Sequence, residues 1–166
     1  VVIWYQASLS SGPTSIWVNI FDGESWLGAS DISNNLLASA NSPKVAMDDK
    51  GNIVAVWREW DGDKFIIKSN EYRIPGDGGV DTGTWSELPI FFDADVSGSV
   101  NPSDLIGNAN FPELAMTDDG LAISVWGQEV MECSNCMQTD IWVKPVSFGR
   151  GHKSLALSVV MLPTHK

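Results

Sequence analysis

Two stretches of this chain spell the same hairpin. Residues 43–57 read PKVAMDDKGNIVAVW and residues 112–126 read PELAMTDDGLAISVW, without a gap and offset by 69 positions. Pro, Ala, Met, Asp, Gly, Val and Trp recur in register. A third, partial copy stands at Val1–Gln6, where VVIWYQ aligns with VAVWRE at 54–59, an offset of 53. Self-similarity of this kind marks stacked supersecondary units, each too small to bury its own apolar face. It constrains the fold more tightly than length does, because 166 residues would also suit one ordinary domain.

Each copy reads as a β-hairpin. An apolar arm (Val45 and Met47; Leu114 and Met116) leads into a turn rich in Asp and Gly (Asp48 to Asn52; Thr117 to Gly120). A second arm follows, Ile53-Val54-Ala55-Val56-Trp57 in one copy and Ile123-Ser124-Val125-Trp126 in the other. Beyond each Trp lies a further strand pattern, at Ser15–Phe21, Lys64–Lys68 and Asp140–Lys144. After two of these comes an element with Gly and Trp, Gly23–Trp26 and Gly83–Trp85. No apolar i, i+3, i+4, i+7 series survives over a helical length. The pattern predicts an all-β chain, a single repeat region over 1–166 with units at about 1–47, 48–116 and 117–166. Each unit holds about four short antiparallel strands, the composition of a propeller blade.

The succession P-x-V-A-M-D-x-x-G-N-x-V-A-V-W at 43–57, with I-W-V-N at 16–19 and G-x-x-W at 23–26, resembles repeats of bacterial β-propeller proteins of the sialidase/Asp-box-like type. The likeness spans roughly residues 1–146. It implies four-stranded propeller blades and an extracellular, periplasmic or cell-surface setting. The Asp-box itself, S-x-D-x-G-x-T-W, is only approximated. Asp81-Thr82-Gly83-Thr84-Trp85 is one residue short, and Asp22-Gly23-Glu24-Ser25-Trp26 departs further. A closed propeller needs at least about four blades of about 40–45 residues, so about three units predict an incomplete ring in isolation. The chain is expected to be a piece of something longer or a homo-oligomer in which copies complete one another. Its opening inside a strand pattern, with no leader ahead, is expected of a processed or excised product. The alternating run SLALSVVM at 154–161 is expected to pair as a strand with Val1–Gln6.

Charge narrows the partners. Ten Lys and Arg face 21 Asp and Glu, a net charge of −11, which opposes binding of nucleic acid or an anionic membrane through a basic face. A hydrophobic fraction of 43% is too high for a disordered acidic tail. No apolar run approaches the ~20 residues of a membrane-spanning helix. In Cys133-Ser134-Asn135-Cys136 the next residue is Met137, which excludes c-type haem attachment. No second ligand pair makes a zinc site, and no helical pattern makes a thioredoxin-like one. Cys133 and Cys136 are read as a loop, free or joined by a short disulfide; the bridged form belongs in an oxidising compartment.

The most ordered chemical motif is Asp93, Asp95, Ser97, Ser99, Asn101 and Asp104, at loop positions 1, 3, 5, 7, 9 and 12, with Gly98 at position 6. That order of hard oxygen donors predicts a Ca²⁺ loop of the EF type without its helices. The plainer reading is a solvated Asp/Ser/Gly turn. Of the eight tryptophans, those that recur in each unit are explained first by packing between units. Trp60 has no Trp counterpart in the other copies, so with Arg58 and Glu59 it is the candidate ligand contact. Tyr5 and Gln128 sit at the equivalent strand ends and are expected to share that rim.

Catalysis is poorly served. Carboxylates are too plentiful to point at a glycosidase pair. A sialidase-type site would need three arginines on one carboxylate plus a Tyr–Glu nucleophile pair; the chain has just Arg58, Arg73 and Arg150, and Arg150 lies in the degenerate third unit. A Ser-His-Asp device would depend on His152 or His165, neither with a Gly-x-Ser-x-Gly partner. The sequence therefore predicts a non-catalytic binding or scaffold module whose ligand is a glycan or a protein. The alternatives are part of a sialidase-like glycoside hydrolase and a structural, self-assembling module.

Overall fold

Every regular element among the described residues is a strand. The computed structural model describes residues 1–7, 12–34, 37–74, 83–86, 90–91, 107–133 and 136–147, and among these there are eleven strands and no helix. The first sheet is ordered β1 (Val2–Ala7), β2 (Thr14–Asn19), β3 (Ser30–Asp31). The second runs β4 (Ala40–Met47), β5 (Ile53–Trp60), β6 (Phe65–Arg73). The far side of β6 is shared by two short pieces, β7 (Thr84–Trp85) and β8 (Ile90–Phe91). The third sheet is ordered β11 (Cys136–Ser147), β10 (Leu121–Cys133), β9 (Ala109–Met116).

All pairings are antiparallel, and among the described residues the three sheets close no ring. The unit limits expected near 47 and 116 fall at the tips of the β4–β5 and β9–β10 hairpins. Each apolar arm pairs with the strand that follows it. The repeat therefore appears in space as one sheet per copy. Its turns are built alike: Asp48 Oδ1 accepts the backbone N–H of Lys50 at 2.9 Å and of Asn52 at 2.8 Å. Thr117, at the equivalent place, accepts the N–H of Leu121 at 3.1 Å. Gly51 and Gly120 take φ of 84° and 93°, a region L-residues avoid, which is why both copies carry Gly there.

The middle sheet is covered on both faces, and β5 shows it. Ile53, Val54, Ala55, Val56 and Trp57 are all fully buried. Alternate side chains serve opposite faces of a strand. Ala55 and Trp57 pack with Ile16, Val18 and Ile32 of the first sheet. Val54 and Val56, with Ile67, pack with Ala109, Ala122 and Trp126 of the third. An alternating polar pattern would leave one of these faces wet, so the run is apolar throughout.

The edge strands β4 and β9 share a bulge that extends the repeat upstream. Asn41-Ser42-Pro43-Lys44 in β4 and Asn110-Phe111-Pro112-Glu113 in β9 each shift the register. Ser42 and Phe111 adopt φ of 53° and 54°. A proline cannot donate to the ladder, and the bulge accommodates that loss. Beside the bulges, Lys44 and Glu113 occupy equivalent repeat positions and form an ion pair of 2.8 Å between these two edge strands. Both are well exposed, so the pair adds at most about 1 kcal/mol.

Candidate functional site

The end of β5 lies beside the start of β9 over the seam between the second and third sheets, and there a mixed aromatic and polar rim forms. Trp60 closes β5 opposite Phe65 and meets its ring edge to face, with centroids 5.1 Å apart. The Arg58 guanidinium lies over the same ring, 3.5 Å from its centroid. Arg58 Nε also donates to the Ala109 carbonyl at 3.0 Å, which ties β5 to β9. Burial pulls this guanidinium below its ordinary pKa, and the charge of Glu129 opposes that pull.

The third sheet contributes a polar clasp. Glu129 Oε2 accepts the backbone N–H of Asn108 at 2.8 Å and its Nδ2 at 3.1 Å. Asn108 Oδ1 in turn accepts the N–H of Phe65 at 3.1 Å. Gln128 donates its amide to the Gly107 carbonyl at 3.0 Å. Gly107 presses so closely that a Cβ there would come within 2.2 Å of the Glu129 Cβ.

Arg58, Trp60 and Gln128 are thus brought together over one seam. Trp60 is 36% exposed and available, whereas Gln128 is buried and engaged. Glu59 points to the opposite face of β5 at 1% exposure. Its carboxylate accepts the Trp57 indole N–H at 2.8 Å and pairs with Lys68 at 2.6 Å, so it offers nothing to a ligand. Tyr5 is well exposed but stands over the neighbouring seam, where Thr14 reaches the Ala40 carbonyl at 2.7 Å.

Sequence reading missed Phe65, Asn108 and Phe111. Phe111 is 83% exposed and sits on the β9 bulge, next to the Asn110 that pairs with Gly127. The available signal was the Ala-Asn pair at 40–41 and 109–110. Extending the repeat to it aligns Phe111 with Ser42, an aromatic where the other copy has a hydroxyl.

A concavity of about 300 Å³ opens between the first two sheets, lined by Val18, Ile20, Leu27, Tyr72 and Trp85. The Tyr72 and Trp85 rings stand 5.5 Å apart, and burial raises the Tyr72 phenol above its ordinary pKa. On the exposed loop nearby, Asp22 accepts the N–H groups of Glu24 and Ser25 at 2.8 Å each. The Gly-and-Trp element of the first unit is therefore an Asp-stabilised turn that bridges Phe21 to Trp26.

The residues expected to form a Ca²⁺ loop, Asp93, Asp95, Ser97, Ser99, Asn101 and Asp104, lie outside the described residues, as does the 154–161 run. Cys133 and Cys136 oppose one another in the β10–β11 register. Such pairs bring Cα atoms to about 4.5–5.5 Å, a span a disulfide fits, but their side chains are outside the described set. Compared with protein-family models, curated proteins and solved structures, the chain matches none.

Proposed function

We propose that this chain is a non-catalytic binding or scaffold module of a secreted or surface protein, and that it holds a glycan on the rim around Trp60. The division of labour at the rim carries this reading. Glu129 is held by two donors of Asn108, while Trp60 keeps 36% exposure and Phe111, on the β9 bulge, is 83% exposed. Open aromatic faces pack against the apolar faces of sugar rings, and engaged carboxylates fix a surface where a catalytic acid would have to exchange protons.

The hydrolase alternative fits the arginines badly. Arg58 pairs with Ile67, and Arg73 lies six residues further along β6, about 20 Å away at strand rise. Arg58 is stacked on Phe65 and Arg73 is bound to Glu71 at 2.6 Å. These two heads do not converge on one carboxylate.

A glycan array read beside fluorogenic glycoside turnover tests the proposal. Glycan binding that Trp60→Ala abolishes, with no turnover, is the expected result. Turnover would make the chain part of a hydrolase. Binding of proteins but no glycan would replace the ligand class, and binding indifferent to Trp60→Ala would move the site. The Ca²⁺ loop belongs to the same proposal, and a calorimetric titration should show heat that Asp93→Ala removes.

A further inference from the structure

We propose that copies of this chain associate head to tail, the Trp4–Trp17 face of the first sheet in one copy seating on the Ile123–Val125–Ile141 face of the third sheet in another. The reasoning is independent of the rim. One sheet-to-sheet packing scheme is used at the seam between the second and third sheets, and its two halves recur, still partly exposed, on the outer faces of the first and third.

The receiving half is made by Val54, Val56 and Ile67 of the second sheet. By the repeat offset of 69 and the strand registers, their counterparts in the third sheet are Ile123, Val125 and Ile141. All three are again β-branched. Among the described residues no core cluster takes them in: Ile141 is 61% and Ile123 39% exposed, and Val125 is half-buried.

The inserting half is a cross-strand tryptophan pair. Trp126 lies opposite Trp142, and both pack into the core shared with the second sheet. In the first sheet, Trp4 lies opposite Trp17 in the same register relation. Val1 and Ile3 face the second sheet, so the alternation of β1 turns Val2 and Trp4 outward. Val2 is 45% exposed, and Trp4 and Trp17 are only half-buried, where Trp57 is fully closed off.

A surface that fits its own opposite end makes a heterologous contact, which builds rings or filaments. These central side chains are uncharged, so association removes apolar area without burying a charge. The net charge of −11 opposes close approach of two copies, and added salt weakens that opposition.

Sedimentation of the whole chain is the test, with Val2→Lys and Ile141→Lys as probes. Both positions are exposed in the single copy, so a lysine there leaves the fold intact, and far-UV circular dichroism confirms that. Wild type should show concentration-dependent species larger than a monomer, strengthened by salt. Each variant alone should be monomeric, because each lacks one half of every contact. Their equimolar mixture should give a dimer and nothing larger, since one intact pair of faces remains. A wild type that is monomeric at every concentration overturns the proposal and leaves these faces to other partners. So does a mixture that stays monomeric, or association that survives both substitutions.

Discussion

Glu59 and Lys68 are joined by an ion pair of 2.6 Å between side chains that keep 1% and 11% of their exposure. The pair replaces something. In the first sheet the same three places hold Trp4, Trp17 and Gln6, and the Trp4 indole donates to Gln6 at 2.9 Å. In the second they hold Trp57, Lys68 and Glu59, and the indole donates to Glu59 at 2.8 Å. Where Lys stands opposite the first tryptophan, the indole acceptor is Glu. Where Trp stands there, it is Gln.

Glu59→Gln keeps an oxygen for the indole and removes the charge that faces Lys68. Urea unfolding should show a loss of about 3 kcal/mol, the low end for breaking a buried pair, because the ammonium retains some solvent. Adding Lys68→Trp rebuilds the set found in the first sheet and should restore more than half of that loss. A single variant within about 0.5 kcal/mol of wild type would show that the pair contributes little.

Ser124 places a hydroxyl in the core with no hydrogen-bond partner. Its counterpart in the second sheet is the fully buried Ala55. Ser124→Ala removes a desolvated polar group at a site the repeat already builds with alanine. Stability should rise by up to about 1 kcal/mol in denaturant titration; a loss of similar size would mean the hydroxyl is satisfied.

Phe111 combines φ of 54° with 83% exposure, so its backbone conformation costs energy that packing does not return. Phe111→Gly should raise stability by about 1 kcal/mol and, on the proposed rim, weaken glycan binding. The two readouts moving in opposite directions is the expected signature. Equal binding with raised stability would take Phe111 off the rim.

Hydrogen bonds from the Ser25 and Glu24 N–H groups hold the Asp22 carboxyl below its ordinary value of 3.8. A carboxylate whose folded pKa lies lower stabilises its turn above the ordinary value and loses that contribution as pH falls through the folded one. Acid titration should therefore leave the 21–26 turn intact through pH 4 and open it below, on the order of the shifted value. Amide NMR of Glu24 and Ser25 reads this directly. Asp22→Asn should abolish the acid transition, and a transition unchanged in that variant would assign it elsewhere.

The repeat was legible because its signals are local. Asp and Gly make the turns, β-branched residues make the arms, and Trp57 and Trp126 mark the register. The rim was half legible, since Trp60 stands out by having no tryptophan counterpart. Its other members meet across the chain: Phe65 reaches Asn108 over 43 positions, and Arg58 reaches Ala109 over 51. No spacing within a strand encodes such contacts. Glu59 misled for a related reason. Adjacent residues on a strand point to opposite faces, so a neighbour of Arg58 in sequence is turned away from it in space.

The bulges at Pro43 and Pro112 bear on how this chain meets others in a crowded solution. Both prolines lie in the outermost strand of their sheet, β4 and β9, where an unpaired row of N–H and C=O groups would invite a foreign strand to zip on. The bulge bends the strand and interrupts that row in both copies. Lateral strand addition, the first step toward a cross-β ribbon, is obstructed there. At these two edges the chain can thus meet others face to face without offering a straight strand to a ribbon.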